Sequence, residues 1–482
     1  MPVEHEIDSA RKEVTWANKR PCYLTMKEFL KQAAQVKPSQ KQLDWFDMES
    51  YAFVHLSPNT FTNLEWGLGN ENPAIFNPTN LDCDQWVAAI KSAGLKGMVL
   101  TCKHHDGFCL WPSEYTEHSV KNSPFKKDIV KLASDACRRG GIKFGFYLSP
   151  WDRNSKYYGT PEYNDYFCNQ LTELLTGYGD IFYVWFDGAC GEGPNGKKQD
   201  YDFPRYFELI NRYHPNAVIF NDFGPDVRWV GNEAGVSRYA EWAVVPSELC
   251  RFAKVQTRPG PMADQGNLDY IYNTDQEIGA LSNIMYSKGL VFAPSEIDVS
   301  IRPGWFWHPE EQPHSLQKLF QIYLSSVGSN ACLHLNIPPT TTGKFDECDV
   351  KRLAEFGTLL KQEFGNPFDT KIEKVFDTPP TQPKYTITFD KPRKDMKYVV
   401  LCEDIAQGQR IESFRITAKF ASGSQYPLYQ GTCIGHKKIC QLQDPFALQN
   451  PLINDSTPEI QTLEIHITAA RDAATLKDIK VY

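Results

Sequence analysis

A chain of 482 residues is too long for one hydrophobic core and suits a large catalytic unit with a smaller one beside it. Its 51 basic and 59 acidic residues leave a net charge of -8 with no basic block, which argues against nucleic acid as a partner. No apolar run reaches the roughly 18 residues of a membrane span, and the 13 cysteines form no CxxC pair, so they read as buried free thiols rather than a disulfide framework or zinc site.

Residues 1–44 are polar, with one helical piece at 25–34, and are expected to pack outside the main body. The start carries no secretion signal, which points either to a secreted or periplasmic protein whose leader has been removed or to a cytoplasmic one. From 45 to 365, strand-like and helix-like stretches alternate. Strands are expected at 51–56, 97–102, 143–148, 181–186, 217–221, 290–294 and 331–337, with a weaker one at 241–245. Between them lie amphipathic helices at 84–93, 128–139, 162–176, 204–213 and 315–326. In the second of these, apolar residues at 129, 130, 132, 133 and 136 make a core-facing stripe that Gly140-Gly141 ends. Seven or eight such units predict an α/β fold, a (β/α)8 barrel, with an open doubly wound sheet as the alternative. After Phe364-Gly365-Asn366-Pro367 the pattern changes. Short alternating stretches such as Ser413–Phe420 and Thr462–Ile467 predict an antiparallel β-sandwich over 366–482.

The stretch from Ile181 to Gly188 is the most informative: six apolar residues, then Asp187, then glycine. It reads as a buried parallel strand with a carboxylate where the chain leaves the core, which is where barrels place their ligands. Other predicted strands end near His55, at Lys103-His104-His105-Asp106-Gly107, at Tyr147, at Asn221-Asp222 and near Glu296 and Asp298. A closed barrel brings these groups to one rim.

Three chemistries fit such a rim. A metal-dependent hydrolase would use the His-His-Asp cluster. Adjacent histidines on a strand point to opposite faces, however, so both serve one metal only if the strand ends there, and neither H-x-H nor H-E-x-x-H occurs. A glycosidase would use two carboxyl groups, with Trp66, Trp111, Tyr147, Trp151, Trp185, Trp229 and Trp305 offering faces to sugar rings. A sugar-binding protein without turnover would need only the aromatics and hydrogen bonds. From the residues alone, Glu296 ranks first as proton donor because it ends a strand, and Asp298 with Arg302 reads as a structural ion pair. Asn454-Asp455-Ser456 fits a glycosylation sequon.

Several blocks, in order along 45–365, carry a resemblance. They are Asn59-Thr60-Phe61-Thr62 with Glu65-Trp66-Gly67, Lys103-His104-His105-Asp106-Gly107-Phe108 with Leu110-Trp111, and Gly145-Phe146-Tyr147-Leu148-Ser149-Pro150-Trp151. Trp185-Phe186-Asp187-Gly188, Trp229-Val230-Gly231-Asn232-Glu233-Ala234-Gly235 and Asp298-Val299-Ser300-Ile301-Arg302-Pro303-Gly304-Trp305 complete the set. Together they resemble the α-L-fucosidases of glycoside hydrolase family 29. The resemblance implies a retaining exo-glycosidase that releases terminal α-L-fucose from a fucosylated oligosaccharide or glycoconjugate, with no metal and no cofactor. Asp187 matches the nucleophile. Glu233 matches the acid/base of the subfamily that prefers α-1,3/1,4-linked fucose on branched, Lewis-type glycans. His55, Glu65, Trp66, His104, His105 and Tyr147 match residues that hold the sugar, and Trp305 matches an apolar wall.

Overall fold

The computed structural model describes residues 14–15, 25–222, 224–250, 277–442 and 457–482. Its centre is an eight-stranded parallel sheet: β1 (Ser50–Val54), β2 (Gly97–Lys103), β3 (Lys143–Leu148), β4 (Tyr183–Trp185), β5 (Val218–Phe220), β6 (Arg228–Trp229), β7 (Ser295–Ser300) and β8 (Cys332–Asn336). The spatial order is β5-β4-β3-β2-β1-β8-β7-β6, and a parallel bridge between Phe220 and Val227 joins the two edges into a barrel. These strands are almost wholly buried because helices cover their outer faces.

Alternation divides the core in two. Ala52 and Val54 of β1 pack outward with Trp86, Ile90, Ile129 and Phe167 from the helices. Tyr51 and Phe53 turn inward to a second cluster with Tyr147, Tyr183, Trp185 and Phe220, so the interior is filled chiefly by aromatic rings. The helix Ile129–Gly140 shows how local chemistry sets the outer layer. Asp128 caps its start by accepting from the Lys131 amide at 2.9 Å, and Gly141 in the left-handed region ends it.

Two barrel strands differ from expectation: the weaker stretch at 241–245 gives Val244–Pro246 outside the barrel, where β6 stands instead, and the stretch at 290–294 is displaced as well. Gly289–Phe292 pairs antiparallel with Val14–Thr15 and Val244–Pro246 in a small separate sheet, and the barrel position belongs to β7. In β7 the residues Glu296, Asp298 and Ser300 alternate with apolar Ile297 and Val299, and all are buried. Its inward face is polar because it feeds a hydrogen-bond network inside the barrel, so hydropathy alone favours the neighbouring apolar run. The helix Glu347–Phe364, capped by Asp346, also had no counterpart in the expected pattern.

After the barrel, a five-stranded antiparallel sheet faces a three-stranded one. Phe414, Ile416 and Ala418 of strand Ile411–Phe420 meet Leu463, Ile465 and Ile467 of strand Ile460–Ala470 and fill the space between the sheets. This is the β-sandwich. The cysteines among the described residues are free thiols, most of them buried. None of the described helices is long and apolar enough to cross a membrane. The Asn454-Asp455-Ser456 triplet lies outside the described residues.

Candidate active site

The chain leaves β4 through Phe186 and delivers Asp187 to the carboxyl end of the barrel. Its Oδ1 accepts the Ala189 amide at 2.7 Å, and its Oδ2 accepts the Tyr147 hydroxyl at 3.2 Å. His105 Nε2 stands 3.7 Å from the same Oδ2. Burial and the Asp187 charge push the Tyr147 phenol well above its usual range, so it remains a donor to that carboxylate. Glycine at 188 is required by close approach: a Cβ there would lie 2.1 Å from an Asp222 carboxylate oxygen.

The two histidines come together because β2 ends just before them, which is the exception to the opposite-face rule. Regular strand geometry stops at Lys103, so the alternation rule no longer applies, and the rings lie 4.2 Å apart. Lys103 anchors the strand end by donating to Asp152 at 3.1 Å and Gln170 at 2.9 Å. Gly107 then turns the chain with φ of 77°, where a Cβ would meet Asp152 Oδ1 at 2.4 Å. Ser149 donates to the Trp151 carbonyl at 2.6 Å, so it must accept from His105 Nδ1 at 2.7 Å. That relay fixes one proton of His105 on Nδ1.

His55 follows β1 and is oriented in the same way. Asn336, at the end of β8, donates through Nδ2 to Ser300 Oγ and the Trp305 carbonyl, so its Oδ1 accepts from His55 Nδ1 at 2.8 Å. Burial holds the His55 and His104 imidazoles well below the usual histidine range, and each is neutral. Neutral His55 with a proton on Nδ1 therefore offers Nε2 as an acceptor. His104 stacks on Tyr147 and meets His55 and Phe306 edge to face.

The opposite wall is built by loops. Glu65 accepts the Trp305 amide at 2.9 Å, the Phe306 amide at 3.2 Å and His308 Nε2 at 2.6 Å, which ties the 304–308 segment in place. Trp305 then packs 5.2 Å from the His55 ring and donates through Nε1 to Glu233 Oε2 at 3.1 Å. Glu233 is exposed, on a turn between two glycines of positive φ, Gly231 and Gly235. Trp66 is 39% exposed and stands edge-on to both His105 and Trp151. Below Glu233, Asp298 accepts the Trp229 indole at 2.6 Å, and burial with the nearby Glu233 and Glu296 charges pushes its carboxyl well above the usual range. Contacts thus run unbroken from Asp187 through Tyr147, His104, His55 and Trp305 to Glu233.

Three sequence readings change. Glu296 begins its strand instead of ending one, and it is fully buried. It accepts from the Tyr51 hydroxyl, the Tyr183 hydroxyl at 2.6 Å and the Trp185 indole at 2.7 Å, and it lies 3.1 Å from His334 Nδ1. Burial opposes its ionisation, but His334 and the tyrosines outweigh that and draw its carboxyl below the usual range. It is the hub of the barrel interior and has no proton to offer. Trp111 is buried against Glu173, away from the rim. Arg302 pairs with Asp349 and Asp346 rather than with Asp298. Sequence reasoning passed over Asn336 and Ser149, although each is the polar residue that closes or follows an apolar strand. Among the described residues no group of three or more His, Cys, Asp or Glu is arranged to hold a metal ion.

Comparison with known proteins gives a concordant result. The family model described as Alpha-L-fucosidase matches residues 27–364. Alpha-L-fucosidase 1 of Arabidopsis thaliana is 38% identical over 433 residues, covering 83% of this chain and 81% of the relative. A crystal structure of a glycoside hydrolase 29 family member from an unknown rumen bacterium is similar at 36% identity and a TM-score of 0.78, covering 93% of this chain and 77% of that one. A Ruminococcus gnavus fucosidase of the same family, in complex with fucose, is similar at 28% identity and a TM-score of 0.77, covering 93% and 95%.

Proposed function

This chain belongs to the alpha-L-fucosidase family of glycoside hydrolases, and from that premise we propose that it cleaves terminal fucose with net retention, using Asp187 as nucleophile and Glu233 as acid/base. The observation that carries the reading is the setting of Asp187: a carboxylate at a strand end, half-buried, receiving both a phenol and a backbone amide. Those donors hold an oxygen in place for attack and balance its charge.

In the first step an Asp187 oxygen bonds to the anomeric carbon as the bond to the leaving oxygen breaks. The Glu233 carboxyl gives its proton to that oxygen. In the second step Glu233, now a carboxylate, takes a proton from water. The water oxygen bonds to the anomeric carbon and Asp187 departs. Two inversions give retention. Glu233 must begin protonated to serve as the acid of the first step.

The remaining residues divide by chemistry. His55, His104, His105 and Tyr147 offer polar contacts to the hydroxyl groups of fucose, and Trp66 and Trp305 offer faces to its apolar edge. Glu65 serves by holding the Trp305 wall. The substrate is a fucosylated oligosaccharide or glycoconjugate. The Gly-Asn-Glu-Ala-Gly block around Glu233 supports a preference for α-1,3/1,4-linked fucose on branched glycans.

Free fucose released from oligosaccharides of several linkages tests the reading. Release from α-1,3 and α-1,4 linkages, with little from α-1,2, is the expected result. Efficient α-1,2 cleavage contradicts the linkage preference, and binding without release contradicts catalysis. Activity should survive chelation.

A further inference from the structure

We propose that the β-sandwich is part of the catalytic machinery: through buried Glu241 and Lys438 it positions the 230–240 loop that carries Glu233. The inference rests on Glu233 being the acid/base.

The loop leaves the barrel at β6 and returns at Glu241. Glu241 closes both ends. Its Oε1 accepts the Arg238 amide and guanidinium, each at 3.0 Å, and its Oε2 accepts Arg228 at 2.9 Å. Arg238 in turn donates to the Val230 carbonyl at 2.9 Å, and Arg228 donates to the Trp242 carbonyl at 3.0 Å. All three charged side chains are buried. A triad of this kind costs desolvation and is a poor way to gain stability, but it fixes geometry.

The sandwich grips the same segment from outside. Lys438 is buried and donates to the Tyr239 carbonyl at 3.1 Å, with its ammonium 5.4 Å over the Tyr239 ring. The Tyr239 hydroxyl donates to the Gln430 carbonyl at 2.7 Å. Gln409 accepts the Ala243 and Val244 amides at 2.8 and 3.2 Å. Asn330 joins the two parts, donating to the Glu241 carbonyl at 2.7 Å and accepting the His436 amide at 2.6 Å. The Ser237 amide donates to Ser325 Oγ at 2.9 Å, and the loop has other ties nearer the pocket. Asn232 bonds within the turn, Lys318 reaches the Ala234 carbonyl at 3.4 Å, and Trp305 reaches Glu233. The aim of Glu233 therefore depends on where Arg238, Tyr239 and Glu241 are held.

A misplaced acid/base leaves a distinct kinetic signature. Departure of a sugar oxygen needs its proton, while departure of an activated phenol needs almost none. Glu241→Gln keeps the shape of the side chain but turns an N–H toward a guanidinium. It should lower kcat/KM on a fucosylated trisaccharide by roughly a hundredfold and on a dinitrophenyl fucoside by less than about fivefold. Lys438→Met, made from the sandwich side, should produce the same selective loss at roughly tenfold. Both should shift the alkaline limb of the kcat/KM profile on the trisaccharide. Glu233→Gln is the reference. Equal losses on the two substrates for Glu233→Gln would overturn its assignment as acid/base. If Glu233→Gln is selective, equal losses or no loss for Lys438→Met would overturn the positioning role alone. Should Glu241→Gln not fold, Lys438→Met decides by the same criterion.

Discussion

The two carboxylates proposed for catalysis stand on unlike ground. Asp187 sits two residues past a buried strand, and its partners Tyr147 and His105 come from the next two strands along the sheet, β3 and β2. Glu233 sits on an exposed turn, and the residues that hold its loop come from as far away as position 438. The nucleophile side is made by the barrel closing, while the acid/base side is made by loops and a second fold packed against them. A group that must present one oxygen to one carbon suits the first setting. A group that must give up a proton and take it back at a pocket mouth suits the second.

Variants can break or sharpen this contrast. The largest effect belongs to Asp187→Ala, which should lower kcat by at least about 10⁴-fold on every fucoside, because both steps pass through that oxygen. A loss confined to natural glycans would erase the distinction between the two sides. Glu233→Gln should cost about 10²–10⁴-fold on glycans and far less on activated phenyl fucosides, measured as kcat/KM. Tyr147→Phe removes the hydroxyl that meets Asp187 and should cost roughly tenfold to hundredfold in kcat/KM on both substrate types.

The smallest effect concerns stability of the nucleophile side. Asp106 is buried in the turn below the histidines, accepting the Ser57 hydroxyl and the Phe108 amide, each at 2.8 Å. Burial raises its carboxyl from 3.8 to about 7. A group whose folded value is raised contributes stability below its unfolded value and loses it as pH rises through about 7. The thermal midpoint should fall on the order of a few degrees across that window, and Asp106→Asn should flatten the slope. An unchanged slope would mean that Asp106 does not couple the turn to pH.

The same contrast decides how much was legible in the sequence. Asp187 was legible because an apolar run ending on an acid has one physical reading in a parallel barrel. His55, His104 and Tyr147 followed by the same rule. Glu233 was not legible from composition or periodicity. Its turn has no regular pattern, and its support is spread over two folds, so only the resemblance marked it. Glu296 misled because a polar inward face inverts the usual hydropathy of a strand, which moved β7 onto the apolar run before it. The paired histidines stayed open for a different reason: whether they share a face turns on where the strand ends, and its last residue is not marked by hydropathy.

The claim that the two acids act from different sides in different roles is tested most directly by azide rescue on an activated fucoside. Asp187→Ala with azide should give fucosyl azide of inverted configuration, since azide enters where the carboxylate was. Glu233→Gln with azide should give the retained configuration, since azide then replaces water in the second step. Retained product from Asp187→Ala would contradict the account.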